Sequence, residues 1–200
     1  GGACEPGGAV IVRVCLGLNG ADGGSEAGVL AAGLTPGVYV RGHLEGVRGA
    51  AGGRPFSVHL KVDTGMSRLG VPQDELEGFL DALQRTPGAR IEGLMTHLMA
   101  ADSDDALTAE QLQRFTRVQH ALRARGHRPR LLHAANSAAT FRHPSARYDL
   151  VRPGIALFGH AGAPDVGAPL RPALRLRSEI VALRNLRPGD RVGYDGTFTV

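Results

Sequence analysis

Short runs of β-forming residues alternate with helical stretches along most of the chain, and this alternation limits the folds open to it. The predicted strands cover 38–40, 56–62, 90–97 and 130–134, and the predicted helices cover 73–84, 108–125 and 137–141. Repeated strand–helix–strand units favour a parallel sheet, because two parallel strands need a crossover connection that is usually a helix. Within this scheme, Thr108 is predicted to cap the second helix with Gln111 at the capping-box position, and Gly126 to end it.

Candidate functional side chains come directly after several of these strands. They are Lys61 and Arg68, His97, Asn136 and Ser137, and Arg152. Polar residues that follow several different strands are typical of the active face of a (β/α)8 barrel. A doubly wound sheet concentrates its ligand contacts at a switch point, and the pattern G-x-G-x-x-G is missing from the sequence. We therefore expect an α/β fold built on a partial (β/α)8 barrel of the TIM type.

The sequence pattern changes on both sides of this region. Residues 1–33 are glycine-rich and uncertain, with one apolar run from Val10 to Leu18 that suits a strand. We expect 34–160 to form the partial barrel and 161–169, rich in glycine, alanine and proline, to form a linker. Alternating apolar residues over 174–182, a turn at 187–190 and a β segment at 191–200 predict the start of a β-rich second domain at 170–200.

Composition excludes several function classes. The net charge of +4 comes mostly from isolated arginines, and aromatic residues make up only 4% of the chain, so a basic nucleic-acid-binding patch is not expected. Cys4 and Cys15 lack metal-ligand spacing and favour a reducing compartment. No apolar run approaches the ~18–20 residues of a membrane span. The first residues lack the basic start of a signal peptide. We expect a cytoplasmic protein without a structural metal.

A single lysine, Lys61, stands among 23 basic residues. Arginine stays protonated in proteins, whereas lysine can lose its proton and become a nucleophile or be modified. Lys61 ends a predicted buried strand and is followed by Asp-Thr-Gly and then by Arg68. Chemistry at this position is therefore the first hypothesis, and a surface lysine without a role is the alternative.

Five motifs occur in a fixed order. They read HLKVDTGMSRLG at 59–70, GLMTH at 93–97, HAANS at 133–137, VRPGIALFG at 151–159 and VGYDGTF at 192–198. In this order and spacing they resemble the bacterial alanine racemases, which are fold-type III enzymes that use pyridoxal 5′-phosphate (PLP). The resemblance runs from about Leu34 to Val200 and does not include residues 1–33. It implies an enzyme that interconverts L- and D-alanine and supplies D-alanine for peptidoglycan.

The resemblance implies paired roles for Lys61 and Arg68. Lys61 matches a lysine that is often carbamylated, and Arg68 matches an arginine near the PLP phenolic oxygen and the substrate carboxylate. Two cations in one confined site repel each other, whereas carbamylation reverses the sign of one of them and makes the pair attractive. A neutral Lys61, or one turned toward solvent, is the structural alternative.

The resemblance also implies a set of cofactor-binding residues. They are His97, Asn136, Ser137, Arg152, Gly154 and Ile155. Arg152 matches the arginine that faces the pyridine nitrogen, and since guanidinium only donates hydrogen bonds it weakens the ring as an electron sink. Ser137 and the amides of Gly154 and Ile155 match phosphate contacts. By itself, Asn136-Ser137 is as typical of a helix cap, and His97 and His133 have purely structural alternatives.

Tyr194 matches the catalytic tyrosine of the family. The resemblance implies that it is the base for one alanine enantiomer and that it reaches the PLP of the partner subunit in a homodimer. An ordinary tyrosine pKa near 10 is too high for base catalysis at neutral pH, so neighbouring positive charge would have to lower it. The alternative for a tyrosine in a β-hairpin is a packing role.

The chain also departs from the family pattern. The lysine that carries PLP lies upstream of the Lys61 motif in the family, and the chain has no matching motif. We therefore expect a fragment that is inactive alone, lacking this motif and most of the C-terminal β-domain. The alternatives are a racemase of broader or serine-type specificity, and a non-catalytic PLP-binding barrel.

Overall fold

The computed structural model describes residues 14–15, 24–163 and 170–200 of the chain. Strands and helices alternate in the order β1 (Val14–Cys15), α1 (Gly24–Ala31), β2 (Thr35–Val38), α2 (Arg41–Ala51), β3 (Phe56–Lys61), α3 (Leu76–Gln84), β4 (Ala89–Met95), α4 (Asp105–Ala124), β5 (Leu131–His133) and α5 (Ser137–Arg142). Two 3₁₀ turns follow at Pro144–Ala146 and Ile155–Phe158. A hairpin of β6 (Arg191–Val192) and β7 (Phe198–Thr199) comes last, around a third 3₁₀ turn at Tyr194–Gly196.

The strands β1 to β5 form one parallel sheet whose strand order is the chain order. Each strand pairs with the next one along the chain, and the winding never reverses within the sheet. A doubly wound sheet requires such a reversal, whereas a (β/α)8 barrel adds successive strands side by side. The expected partial (β/α)8 barrel is confirmed, with five strands of its wall in the described part of the chain.

The two faces of this sheet carry different side chains, because side chains alternate along a strand. On the outer face, Leu60, Leu94 and Leu132 occupy neighbouring register positions and join the apolar cluster formed with α2, α3 and α4. On the inner face the corresponding side chains are those of His59, Lys61, Met95 and His133. The sheet therefore turns a leucine-rich face to the helices and buried polar groups to the barrel interior.

A register shift between β3 and β4 brings the inner-face groups into line. Val58 pairs with Ile91 but His59 pairs with Gly93, so β4 contains one extra residue at this point. Bulges of this kind redirect side chains and are frequent beside active sites. Here the shift places the imidazole of His59 against the bare backbone of Gly93, where a Cβ atom would lie 2.4 Å from the ring.

The helices follow the sequence pattern with small differences at their ends. On α4 the buried residues Phe115, Val118 and Leu122 recur at helical spacing and face the sheet. Gly126 follows the helix with φ of 80°, as predicted. The predicted cap at Thr108 is wrong: α4 begins three residues earlier, and the Asp104 carboxylate accepts a 2.8 Å bond from the amide of Leu107. Aspartate is as effective an N-cap as threonine.

The C-terminal segment differs most from the prediction. Residues 174–182 form no strand, and their side chains are exposed, with Leu176 at 98%. The reason is that an alternating pattern yields a strand only when a neighbouring strand pairs with it. The predicted β segment at 191–200 is present as the short hairpin of β6 and β7. The boundary of a second domain at residue 170 stays a prediction.

Two predicted segments lie partly outside the described residues. Of the apolar run from Val10 to Leu18, only Val14–Cys15 is described, and it forms β1. Of the predicted linker at 161–169, residues 164–169 lie outside the described part, while Gly162 and Ala163 pack near α5. Among the described helices, none combines the length and apolar character needed to cross a membrane.

We expect Gly93→Ala to destabilise the fold, because the new Cβ would collide with the His59 ring, which is completely buried. Overpacking of this kind costs about 1–3 kcal/mol in the free energy of unfolding, which urea denaturation measures. The matched control is Gly49→Ala in α2, where nothing lies within 4 Å of the added Cβ, and where alanine should stabilise by about 0.5–1 kcal/mol. Equal stability of Gly93→Ala and the unsubstituted chain would contradict the packing described here.

Candidate active site

A cleft of about 340 Å³ opens beyond the carboxyl ends of β4 and β5. Small-molecule sites commonly have volumes of about 300–1,000 Å³. The cleft is lined by His97, Asp102, Asn136, Ser137, Ala138, Arg152, Gly154, Ile155 and Gly162. All six residues that the sequence predicted as cofactor-binding are in this set. The structure therefore brings these six residues together although they are up to 58 positions apart in the chain.

Arg152 is the most firmly held side chain of the cleft. Its Nη2 donates to the carbonyl oxygens of Thr96 at 2.5 Å and Ala134 at 3.0 Å, and its Nη1 lies 2.8 Å from Nδ1 of His133. Burial lowers the pKa of Arg152 to about 10, so the group stays charged at neutral pH. Three of its five N–H groups are used by these contacts. The two others, on Nη1 and Nε, have no acceptor among the described residues and are available to a ligand.

A buried chain of two histidines lies behind Arg152. Guanidinium only donates, so Nδ1 of His133 must accept and its Nε2 must carry the proton. That Nε2 lies 2.8 Å from Nδ1 of His59, which accepts in turn and leaves the His59 proton on Nε2. Nε2 of His59 is buried and has no partner among the described residues. The hydrogen bonds therefore run in one direction, from Arg152 through His133 to His59.

The pKa values of the histidines agree with this direction. Burial, followed by the charge of Arg152, lowers the pKa of His133 to about 2. Burial also lowers the pKa of His59 to about 4, with Glu92 opposing the shift. Burial and the charges of Arg152, Arg68 and Lys61 lower the pKa of His97 to about 4. All three imidazoles are therefore neutral at pH 7, as the donor–acceptor pattern requires for His133 and His59.

The other end of the cleft presents hydrogen-bond donors. The Ser137 side chain accepts a 3.2 Å bond from the amide of Ala156 and keeps its own O–H for another partner. The amide of Ile155, at the start of a 3₁₀ turn, has no acceptor among the described residues. No atom lies within 4 Å of a Cβ built on Gly154, so space is open beside that backbone. The expected Gly154 amide is not free, because it donates to the carbonyl oxygen of Arg152 at 2.9 Å. The free donors at this end are the Ser137 hydroxyl and the Ile155 amide, and they suit an anionic group.

Asn136 lines the cleft, but both polar atoms of its side chain already form hydrogen bonds within the protein. Its Oδ1 accepts from the amide of Ala139 at 3.0 Å and caps α5, and its Nδ2 donates to the carbonyl oxygen of Leu98 at 3.1 Å. The helix-cap alternative is therefore present in the structure. Asn136 connects α5, which begins with Ser137, to the loop that follows His97.

Lys61 ends β3 on the inner face of the barrel and is only 6% exposed. Its Nζ lies 5.8 Å from the centre of the Tyr39 ring. Burial lowers the pKa of Lys61, and the charges of Arg68 and Arg152 lower it further, while Asp63 opposes them. The alternative of a solvent-facing lysine is wrong. The amine is easier to deprotonate than an ordinary lysine.

Arg68 lies on the loop that follows β3, and this loop is closed at its base. Val71 donates to the carbonyl oxygen of Lys61 and accepts from the amide of Asp63, both at 2.9 Å. The Asp63 carboxylate accepts from the amides of Gly65 and Ser67, at 2.8 and 3.2 Å. Arg68 itself is exposed and is not among the residues that line the cleft. Its charge nevertheless acts on Lys61 and His97, so the loop presents it near the cleft.

Tyr194 lies in the 3₁₀ turn between β6 and β7 and is 98% exposed. It is not among the residues that line the cleft. The packing alternative does not hold within the described part of the chain, because a packing tyrosine would be at least partly covered. Tyr194 is the one predicted catalytic residue that the structure leaves fully open to solvent.

Several residues of the site were not assigned roles from the sequence. His59 and Thr96 lie inside recognised motifs, and their alternation with apolar neighbours was the available signal. Asp102 and Gly162 line the cleft from a loop and from the predicted linker. Gln111 was interpreted as a capping-box residue, but it is completely buried and reaches the loops after β3 and β4. The available signal for Gln111 was its place in the helix, a polar residue at the spacing of the buried residues Phe115, Val118 and Leu122.

The comparisons with known proteins agree with one another. The family model described as "Alanine racemase, N-terminal domain" matches residues 6–162. The chain is 46% identical to the alanine racemase of Sorangium cellulosum over 175 residues, which is 85% of this chain and 46% of that protein. It is 39% identical to the alanine racemase of Geobacillus stearothermophilus over 150 residues, or 72% of this chain and 38% of that protein.

Solved structures give the same result. The alanine racemase from Streptomyces coelicolor A3(2) superposes with a TM-score of 0.80 at 34% identity, over 94% of this chain and 52% of that one. The enzyme from D-cycloserine-producing Streptomyces lavendulae gives a TM-score of 0.79 at 28% identity, over 93% and 51%. The chain thus spans less than half the length of the curated relatives described above and about half of these solved chains.

The family match corrects one expectation. Residues 1–33 were expected not to resemble the family, but the match begins at residue 6. The short motifs on which the resemblance was based all lie beyond residue 58, so they carried no information about the first segment.

We expect the free energy of unfolding to fall as the pH is lowered from 7 to 5. The pKa values of His59 and His133 in the folded chain, about 4 and about 2, lie below the ordinary 6.5, so the unfolded chain binds protons first. Their stabilisation is complete above about pH 6.5 and is lost progressively as the pH falls toward these values. Each contributes a loss of roughly 2 kcal/mol between pH 6.5 and pH 5, measurable by urea unfolding at several pH values.

Replacing His133 by asparagine tests the origin of this pH dependence. An asparagine oxygen lies near the position of Nδ1 and accepts from Arg152, but it does not titrate. The slope of unfolding free energy against pH should therefore become shallower by about one proton. The control is His120→Asn, on the exposed side of α4. An unchanged slope in His133→Asn would contradict the conclusion that His133 is neutral in the folded chain at pH 7.

Proposed function

The chain belongs to the alanine racemase family, and from this premise we propose that it holds PLP for an enzyme that interconverts L- and D-alanine. The observation that carries the proposal is the cleft, in which a half-buried arginine at one end and hydroxyl and amide donors at the other enclose about 340 Å³. A charged pyridine ligand with a phosphate arm needs donors at two separated points. The enzyme class that follows is an amino-acid isomerase.

The residues present fit the cofactor. The two free N–H groups of Arg152 would bind a ligand that offers a ring nitrogen as acceptor, and the Ser137 hydroxyl and the Ile155 amide would bind a phosphate beside the open backbone of Gly154. Arginine charge at the cleft complements the phosphate dianion. When bound, PLP supplies the electron-withdrawing ring that makes the α-proton of an amino acid acidic enough to be removed.

Arg152 sets how strongly that ring withdraws electrons. Its three fixed contacts, to Thr96, Ala134 and His133, hold the guanidinium as a permanent donor. A donor leaves the ring nitrogen unprotonated, whereas a carboxylate at this position would favour its protonation. Moderate withdrawal suits a racemase, because the proton must be returned to the same carbon. Arg152 is thus the residue that separates this function from decarboxylation or transamination.

Lys61 is proposed to be carbamylated. Its lowered pKa increases the fraction of unprotonated amine, whose nitrogen forms a bond to the carbon of CO₂ while one N–H proton leaves to solvent. The product is an anion on the inner face of the barrel. It attracts Arg68 and turns that side chain toward the cleft, where Arg68 binds the substrate carboxylate and the PLP phenolic oxygen.

Tyr194 is proposed to remove or return the α-proton in the cleft of a second copy of the chain. Its 98% exposure and its position on the hairpin outside the cleft support a role across a subunit interface. The side chains of Leu157, Phe158, Leu176 and Phe198 are also largely exposed, and exposed apolar surface of this kind favours association. We infer a homodimer with shared active sites.

The remaining proposals concern the setting of the enzyme. The product D-alanine would supply peptidoglycan synthesis. The two cysteines, without metal-ligand spacing, favour the reducing cytoplasm.

We expect the chain to bind PLP and Ser137→Ala to bind it about tenfold more weakly, because a hydrogen bond to a charged phosphate is lost. Equilibrium dialysis measures both affinities. Ser145→Ala is the matched control, since Ser145 is exposed and does not line the cleft. We also expect these 200 residues to form no D-alanine from L-alanine. Absence of PLP binding would contradict the cofactor assignment, and measurable turnover would contradict the expected need for a further lysine.

We expect Tyr194→Phe to lower kcat at least about a hundredfold in a full-length version of the enzyme, because a positioned acid or base contributes about 10²–10⁴-fold. Phenylalanine keeps the aromatic ring and removes only the hydroxyl, so PLP content and dimer mass should not change. Turnover is followed by chiral chromatography, with Tyr148→Phe as the control, a tyrosine that packs against Phe115 of α4. Full activity of Tyr194→Phe would exclude the tyrosine as a proton carrier.

A further inference from the structure

Gln111 of α4 is a fully buried amide whose hydrogen bonds all go to loops of the active face. Its Nε2 donates to Oγ1 of Thr64 at 3.2 Å and to the carbonyl oxygen of His97 at 3.2 Å. Its Oε1 accepts from the amide of Met99 at 2.9 Å. Both donors and the acceptor are therefore used. One side chain thereby joins the loop after β3 to the loop after β4.

The contact with Thr64 continues as a chain of hydroxyl groups with a defined direction. Thr96 donates its only hydroxyl proton to the carbonyl oxygen of Val62 at 3.0 Å. It must therefore accept from Thr64, whose Oγ1 lies 2.8 Å away. Thr64 in turn accepts from Gln111. Thr64 and Thr96 are completely buried, so each bond in the chain replaces a contact that water would otherwise provide.

The hydroxyl chain ends at residues that are proposed to bind the cofactor. Thr96 uses its hydroxyl in the chain and its carbonyl oxygen to hold Nη2 of Arg152 at 2.5 Å. His97, whose carbonyl oxygen Gln111 binds, lines the cleft with its side chain. Within the same helix, Arg114 donates to the carbonyl oxygen of Thr64 at 3.1 Å and pairs with Glu110 at 2.5 Å. Helix α4 thus holds the loop after β3 through two atoms of Thr64, its Oγ1 and its carbonyl oxygen.

We propose that Gln111 is a positioning residue for the ring side of the cleft, the end formed by Arg152 and His97. It fixes the position of Arg152 through Thr64 and Thr96, and the position of His97 through the carbonyl oxygen of that residue. The inference rests on the proposed PLP function and adds a residue that touches neither cofactor nor substrate. The phosphate side, formed by Ser137, Gly154 and Ile155, has no contact with Gln111 or with the hydroxyl chain. Loss of Gln111 should therefore disturb one end of the cleft and leave the other unchanged.

The test uses the 200-residue chain and two probes, PLP and inorganic phosphate. Gln111→Met keeps the length and volume of the side chain and removes all three hydrogen bonds. We expect its affinity for PLP to fall about tenfold, as for the loss of buried hydrogen-bond partners, while its affinity for inorganic phosphate changes less than twofold. Equilibrium dialysis measures the first and ³¹P NMR the second. The matched control is Gln113→Met, on the exposed side of the same helix, which should change neither affinity.

A second variant covers the case in which Gln111→Met does not fold. Thr64→Val preserves the shape of the side chain and removes only the middle hydroxyl of the chain, so it should lower PLP affinity in the same direction by about threefold to tenfold. Hydrogen exchange at the amide of Met99, which Gln111 binds, should accelerate in Gln111→Met and not in Gln113→Met. This exchange reports the contact in the absence of any ligand.

The outcomes separate the inference from the proposed function. If the unsubstituted chain does not bind PLP, the proposed function is wrong and the inference is overturned with it. If the unsubstituted chain binds PLP and the folded variants bind it equally well, the proposed function stands and the positioning role is overturned. An equal loss of PLP and phosphate affinity would show a general loss of structure and would also overturn it. Only the selective loss of PLP affinity supports the inference.

Discussion

The site depends on one constraint, which is that the guanidinium of Arg152 can donate hydrogen bonds and cannot accept them. A half-buried cation of this kind needs acceptors, and it has two carbonyl oxygens and one imidazole nitrogen. The imidazole of His133 must therefore be neutral, with its proton on Nε2. Because that Nε2 donates to Nδ1 of His59, His59 must also be neutral, with its own proton on Nε2. A protonated histidine in either place would bring a second positive charge against Arg152. Burial keeps both histidines neutral, and this allows a permanent charge to sit at the base of the cleft.

The same requirement explains why side-chain hydrogen bonds tie together the loops that form most of the cleft. Loops at the carboxyl ends of strands have few backbone partners of their own, so side chains must supply them. Asp63 closes the loop that carries Arg68, Asn136 ties α5 to the loop after β4, and Gln111 ties that loop to the one after β3. Asn136 and Gln111 use both the oxygen and the nitrogen of their amide groups, and Asp63 accepts two backbone amides through Oδ1. Preorganised donors and acceptors of this kind bind a ligand without first having to be ordered.

The parts of the molecule that sequence predicts well are those determined locally. Strand β3, strand β4 and helix α3 lie within one to three residues of the predicted bounds, because alternation and helical periodicity report burial directly. The start of α4 was misplaced, since Asp104 and Thr108 are both good caps and only the structure shows which carboxylate or hydroxyl meets a free amide. The alternating pattern at 174–182 gave a wrong strand because pairing is a non-local event. The residues of the cleft were predicted from motifs, whereas Gln111 lies outside every motif, and its contacts show what its burial in the helix serves.

The proposed function would require a site shared between the barrel and the hairpin, for a physical reason. Racemisation needs proton carriers on opposite faces of one carbon atom, and a cleft whose walls are already filled by Arg152, His97 and the phosphate donors leaves one side open to solvent. A residue that closes this open side must come from outside the cleft, and an exposed tyrosine on a short hairpin is suited to that role when two copies associate. Association would then remove water, add the neighbouring positive charge that lowers a phenol pKa, and complete the site in a single step. Under the proposed function, Arg152 in the cleft and Tyr194 on the exposed hairpin would have complementary roles, and neither would account for racemisation without the other.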